Sequence, residues 1–201
     1  MKRSNIALLL LSIAVASSCG RKPPENEQDY VSKLAAERAQ KDADFRKASD
    51  PIPDNRKAEL LPLVYFPIDP SYKVPAVLKR LDDPTIIEMP TSTGTSRRMR
   101  RYGTLEFTLK GQALKLTAFI EVADPNHLFV AFTDLTSGTE TYPAGRYLDL
   151  TPNSTGNYEL DFNRAYNPYC YYNVSYECPY PPSENRLKIP IRAGEKIKLD
   201  R

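Results

Sequence analysis

The sequence has no tryptophan, one histidine (His127), three cysteines and eight glycines in 201 residues. A single histidine excludes multi-histidine metal sites and leaves any Ser-His-Asp or Cys-His arrangement dependent on that residue. No G-x-S-x-G elbow, Walker loop or G-x-G-x-x-G fingerprint occurs. A bilayer-spanning helix needs about 20 apolar residues, and the longest apolar run, at 6–15, is about half that. Neither sign of charge dominates, with 28 Lys plus Arg against 25 Asp plus Glu, so the electrostatic footprint of a nucleic-acid binder is missing. What is present, 41% apolar residues with 26% charged, suits a folded domain rather than a disordered chain. The length allows one domain of ordinary size.

The first 18 residues have the layout of a secretory leader: Lys2 and Arg3, an apolar run interrupted only by Ser12, then Ala16, Ser17 and Ser18 before Cys19. Small residues running into a cysteine resemble a bacterial lipobox, with Ala16 where Leu is usual. That resemblance implies lipidation of Cys19, and Gly20 after it favours the outer membrane. The rival reading is plain secretion after Ala16, because Ala14-Val15-Ala16 is itself an A-x-A site. Several acyl chains at about 0.8 kcal/mol per buried methylene would hold the domain at a membrane. Loss of residues 1–18 removes Lys2 and Arg3 and no acid, leaving 26 basic against 25 acidic residues, formally +1.

Lipidation at Cys19 leaves Cys170 and Cys178. In an oxidising envelope, two cysteines with seven residues between them most simply form a local disulfide stabilising by about 2 kcal/mol. Free buried thiols and metal or redox chemistry are the alternatives, although two ligands do not make a zinc site.

Residues 19–29 read as a polar tether and 30–201 as a single β-rich domain. Val31, Leu34, Ala35 and Phe45 mark one face of an amphipathic helix over 30–47, stopped by Pro51 and Pro53. It is expected to pack across a sheet or its open end. Alternation of Leu105, Phe107 and Leu109, then of Leu114, Leu116, Ala118, Ile120 and Val122 across the Lys110-Gly111-Gln112 turn, predicts a hairpin with one buried face. Further strand candidates are 63–68, 73–78, 86–89, 128–133, 146–150, 158–162, 187–191 and 196–199. The fold class is therefore mainly β, an antiparallel barrel-like or sandwich domain with one N-terminal amphipathic helix. Residues 163–186 break the rhythm: they carry six of the 13 tyrosines, both remaining cysteines and four prolines. A loop of that length in a compact domain is commonly functional.

Several stretches, in order, resemble a known family. They are Tyr65-Phe66-Pro67-x-Asp69-Pro70, Arg101-Tyr102-Gly103-x-Leu105-x-Phe107, Thr136-Ser137-Gly138-x-Glu140-Thr141-Tyr142, and Gly145-Arg146-Tyr147-Leu148-Asp149. The series continues with Leu160-Asp161-Phe162-Asn163-x-Ala165-Tyr166-Asn167-Pro168-x-Cys170, Cys178-Pro179-x-Pro181-Pro182, Asn185-Arg186-Leu187 and Ile191-Arg192-Ala193-Gly194-Glu195. Over about residues 40–196 they resemble the uncharacterised bacterial family catalogued as domain of unknown function number 1684. Tyr171 and Ile197 depart from its pattern. The resemblance implies no activity, and many relatives look like lipoproteins.

The densest polar set is Glu140, Tyr142, Arg146, Asp149, Asp161, Asn163 and Asn167, joined on the long loop by Tyr166 and Asn185. If 142–149 and 158–163 were neighbouring strands, these groups would meet at one rim. An Arg fork, amides and tyrosine faces could there hold a small polar or anionic ligand, or a partner. Alternatively they satisfy one another and the loop backbone. A carboxylate pair such as Glu140 with Asp161 allows a second class, an envelope hydrolase or transferase using Arg146 and Tyr142. No catalytic residue, cofactor or metal ligand is assigned: Asp134, Thr136, Gly138 and Glu140 alternate as in part of a calcium loop but lack its full spacing. His127 is read as a turn residue. Arg97, Arg98, Arg100 and Arg101 could touch anionic lipid or protect a hairpin edge by charge. The expected partners are thus the membrane, through the lipid, and a small ligand; no nucleic acid is implied, and no feature specifies an oligomeric state.

Overall fold

The computed structural model describes residues 26–82 and 84–198. The expected leader, Cys19 and residues 20–25 of the tether lie outside them. Among the described residues no helix is long and apolar enough to cross a membrane.

Helix α1 (Glu27–Lys47) begins three residues before the apolar periodicity does. The Asn26 side chain accepts from the Asp29 amide at 2.8 Å, with acids in the first turn and Arg46 and Lys47 in the last. Its expected apolar stripe is only partly buried. Leu34 is buried and Val31 and Phe45 half-buried, but Ala35 is exposed. Polar latches supply the rest of the docking. Tyr30 Oη donates to Asp161 at 2.9 Å, Arg38 donates to the carbonyls of Phe66 and Asn163 at 2.9 Å each, and Lys41 meets Glu195 at 2.5 Å. A one-turn helix, α2 (Lys57–Leu60), then joins Ile52, Leu61, Leu63 and Tyr172 in a satellite apolar cluster.

Seven strands follow: β1 (Lys73–Arg80), β2 (Ile86–Pro90), β3 (Ser96–Leu109), β4 (Gln112–Glu121), β5 (Asp124–Phe132), β6 (Arg146–Leu150) and β7 (Asn157–Asp161). All pair antiparallel in the order β6-β5-β4-β3-β1-β7, a sheet curled into a half-barrel. The long β3 pairs with β2 through its first half and with β1 through its second. A bulge at Arg101/Gly103 separates the halves. The extra residue flips the side-chain parity: Leu105, Phe107 and Leu109 enter the main core, whereas Met99 belongs to a second cluster on the other face. A Cβ on Gly103 would lie 2.6 Å from the Lys79 carbonyl, so only glycine lets β1 approach here.

The main core packs Leu105, Leu116, Leu128, Val130, Phe132 and Leu160, with the Phe162 ring 5.6 Å from those of Phe107 and Phe132. Strands β6 and β7 are not the neighbours expected: β7 pairs with β1, and they stand at opposite ends of the order. The free edge of β6 is taken by Tyr166, whose backbone exchanges bonds with Tyr147 at 2.9 and 3.1 Å. The returning chain, with Leu187, Ile189, Ile191 and Ala193 in the core, fills the open side.

Three strand candidates, 63–68, 187–191 and the described part of 196–199, are not strands; only the bridge Tyr65↔Glu195 survives in the first. Leu63, Phe66, Leu187, Ile189 and Ile191 are buried there, but Pro62, Pro67 and Pro190 withhold the donors a ladder needs. Apolar spacing there reports burial rather than pairing.

Candidate functional site

Arg146 opens β6, pointing inward at 1% exposure. Its Nη2 donates to Asp134 Oδ2 at 2.9 Å and to the Ile191 carbonyl at 2.8 Å. Nη1 reaches the carbonyls of Ala193 and, at 3.2 Å, Glu195. Burial lowers its pKa, opposed by Asp134, while the guanidinium remains charged in any protein setting. Asp134 Oδ1 accepts from Thr136 Oγ1 at 2.6 Å and from the Ile191 amide at 3.1 Å. The fork thus grips the returning chain.

The other expected site residues behave likewise. Asn185 clamps β4 to β5, accepting from the Thr117 amide at 2.7 Å and donating to the Thr117 and Ala131 carbonyls at 2.9 and 2.8 Å. Asn163 exchanges bonds with the Asp69 backbone at 3.0 and 2.8 Å. Asp161 accepts from Tyr30 and from Arg164 Nε at 3.1 Å, Glu140 takes Arg192 at 3.0 Å, and Asn167 donates to the Lys196 carbonyl at 3.0 Å. Glu195, not singled out in the sequence, is 2% exposed and gathers Lys41, the Asn167 amide at 2.8 Å and the Tyr172 hydroxyl at 2.5 Å. Gly194 before it has φ +79°, and a Cβ there would lie 2.5 Å from the Ala165 carbonyl. Glu140 and Asp161 are bound into separate clusters, so the acid–base pair considered for them is not assembled with a free acid beside Arg146.

An open cleft lies elsewhere, on the outer face of the sheet beneath the Tyr-rich loop. It holds about 410 Å³, within the range of small-molecule sites. Its floor is Met99 of β3, Phe129 of β5 and Tyr147 of β6; the loop contributes Tyr169, on the single-turn helix α3 (Tyr169–Tyr172), then Tyr176, Glu177, Cys178 and Pro179. The Tyr147 hydroxyl donates to the Pro179 carbonyl at 2.5 Å, fixing loop to sheet. Of the nine residues of the candidate polar set, two line this cleft, Asp149 and Tyr166. Tyr166 donates to Asp149 at 2.5 Å. Burial, then the Asp149 charge, pushes its phenol well above the ordinary value, and burial does the same for Tyr147, so both stay protonated.

His127 belongs to β5 rather than to a turn, because that strand starts at Asp124. It stands at the cleft mouth, with Nε2 4.0 Å from Asp149 and Nδ1 3.9 Å from Asp124. Arg97 is held across the cleft by Glu177 at 3.2 Å and Glu121 at 3.4 Å. Elsewhere in the arginine cluster Arg101 pairs with Glu184 at 2.6 Å and Arg98 with Glu88 at 3.7 Å; β3 is flanked here by β2 and β4, so the cluster does not guard a sheet edge. Phe129 and Met99 went unremarked in the sequence. Their signal was present: β5 alternates Leu128, Val130 and Phe132 inward with Phe129 and Ala131 outward, and apolar residues on both faces mean both are covered.

Cys170 and Cys178 are buried free thiols. The Cys170 amide donates to Cys178 Sγ at 3.2 Å, and the Tyr142 hydroxyl lies 3.9 Å from Cys170 Sγ. A hydrogen bond with Cys178 draws the Cys170 thiol down to about 6 against the effect of burial, and Cys178 is pushed up in exchange.

The family described as "Protein of unknown function (DUF1684)" matches residues 59–196. The solution NMR structure of the uncharacterized protein from gene locus rrnAC0354 of Haloarcula marismortui is similar with a TM-score of 0.68 and 37% identity, over 87% of this chain and 97% of that one. No curated protein matches.

Proposed function

Because the chain belongs to the DUF1684 family, whose description supplies no activity, we propose a function from the site itself: a lipid-anchored envelope protein that holds a small polar molecule in the cleft beneath its Tyr-rich loop. The observation that carries this reading is the cleft, about 410 Å³ with an apolar aromatic floor and an ionised rim. Such a combination orients a ligand by a few polar groups while burying its body. The polar set around Arg146 supports the reading indirectly, since it anchors the chain on which the loop is mounted.

In this reading the leader is removed and Cys19 is acylated, and the acyl chains hold the domain outside the cytosol at the outer membrane. There Cys170 and Cys178 form a disulfide. Each thiol gives up one proton and one electron, and a disulfide-bearing oxidant of the envelope is reduced to its dithiol in exchange. Closing that bond ties α3 to the strand-like stretch that carries Cys178, so the cleft wall becomes rigid.

Native mass spectrometry of the protein extracted from membranes tests all three elements. The expected spectrum shows acylated Cys19, a mass two hydrogens below the dithiol, and a small molecule released on unfolding. An unprocessed, unacylated cytosolic chain with free thiols and nothing bound would overturn the proposal.

A further inference from the structure

We infer that the ligand of this cleft is an organic cation, an ammonium or quaternary ammonium compound; the inference rests on the binding role proposed above and adds the sign of the ligand's charge. Four carboxylates line the cleft, Glu121, Asp124, Asp149 and Glu177, against one guanidinium, Arg97. With His127 neutral, the lining carries a formal charge of −3. Arg97 is already held between Glu121 and Glu177, and Arg146, the other arginine that could have received an anion, is buried against Asp134 and backbone carbonyls. An anionic ligand would therefore enter a negative cleft with no free cation to meet it.

The aromatic walls point the same way. Phe129 and Tyr147 meet at 74° with centroids 4.6 Å apart, Tyr147 and Tyr166 at 88° and 5.8 Å, and Tyr169 and Tyr176 at 74° and 5.2 Å. These edge-to-face pairs give the cleft an aromatic lining, and a ring face presented to it attracts a cation through the quadrupole. Burial keeps Tyr147 and Tyr166 protonated, so the lining phenols carry no charge of their own. Asp149 stands beside these rings with a side chain 38% exposed, able to meet a cation while it accepts from Tyr166.

The single histidine supplies the reporter. His127 is the one imidazole in the chain and lines the cleft mouth, so one ring resonance in an NMR spectrum of the full-length protein in nonionic detergent follows occupancy. Three probes separate the possibilities: choline, its neutral carbon isostere 3,3-dimethyl-1-butanol, and inorganic phosphate. Choline is expected to shift the His127 resonance saturably and to bind about tenfold more tightly than the isostere. Asp149→Asn should weaken choline about tenfold while leaving the isostere unchanged, and Tyr169→Leu, at an exposed ring, should weaken choline without unfolding the protein. Equal binding of choline and the isostere, or a response to phosphate alone, would overturn the cation assignment while leaving the cleft as a binding site. Absence of any response to all three probes, with no small molecule released from native protein, would overturn both readings together.

Discussion

Arg97 and Arg146 are both ion-paired, yet the first is 35% exposed at the edge of a cleft and the second 1% exposed inside the body. Arg97 meets carboxylates that solvent also reaches. Arg146 meets one buried carboxylate and three backbone carbonyls of the returning chain. The difference separates two tasks that look alike in sequence. A half-barrel with β6 and β7 at opposite ends of the sheet must seal its open side with non-strand backbone, and that backbone has carbonyls no ladder satisfies. Buried side chains with several donors, Arg146, Asn185 and Asn163, do so. The cleft on the outer face needs fewer polar groups and more rings.

The contrast is broken most severely at Arg146. Arg146→Leu leaves Asp134 as an uncompensated buried charge and three carbonyls without a donor; a loss of about 3–5 kcal/mol follows, readable as a lower thermal midpoint. Because the side chain is remote from the cleft lining, the charge preference of the cleft should survive in whatever fraction remains folded. A variant that kept its stability and lost ligand would reverse the roles assigned to the two arginines. Asn185→Ala comes next. It removes three bonds clamping β4 to β5 and strands the Thr117 amide, at a cost of about 2–3 kcal/mol in chemical denaturation.

Much of this arrangement was legible in the sequence. The hairpin of β3 and β4, strands β1, β2 and β6, and the helix ahead of them follow from period and punctuation. The special status of 163–186 followed from tyrosine and proline density. Two things were hidden. The alternation at 187–191 reads identically whether Leu187, Ile189 and Ile191 fill a sheet or plug its gap, since burial is what selects them. The order of strands was also hidden: sequence proximity argued for β6 beside β7, whereas Tyr166 takes that edge. Most of the candidate polar set lies apart from the cleft for the same reason: polar density marks where backbone must be satisfied, whereas outward apolar residues such as Phe129 mark the cleft, and only Asp149 and Tyr166 of that set belong to both.

The thiol pair, in its reduced form, makes the protein's stability depend on pH. Cys170 is drawn down to about 6 in the folded state, whereas an unfolded cysteine titrates near about 8.5. Between those values the unfolded chain binds more protons, so stability grows as pH rises toward about 8.5 and is lost as pH falls toward 6; above that upper value the raised Cys178, still protonated when an unfolded cysteine is not, reverses the trend. Thermal midpoints measured in a phosphine reductant should therefore rise from pH 6 to 8.5 more steeply in the wild type than in Cys170→Ser. Equal slopes would remove the thiolate from the account. In the disulfide form that extra slope should vanish.

The smallest effects belong to the half-buried arginines of β3, and they sharpen the contrast because stability and binding should separate there. Arg101→Gln breaks one surface pair with Glu184, and such pairs contribute about 0–1 kcal/mol; no change in the cleft is expected. Arg97→Gln should cost as little in stability, yet it removes the one guanidinium lining the cleft and frees Glu121 and Glu177. Choline should then bind about threefold more tightly at low ionic strength, with the gain fading as salt screens it. Weaker choline binding in Arg97→Gln would mean that Arg97 helps to receive the ligand, and that the cleft's charge is balanced for a zwitterion rather than a cation.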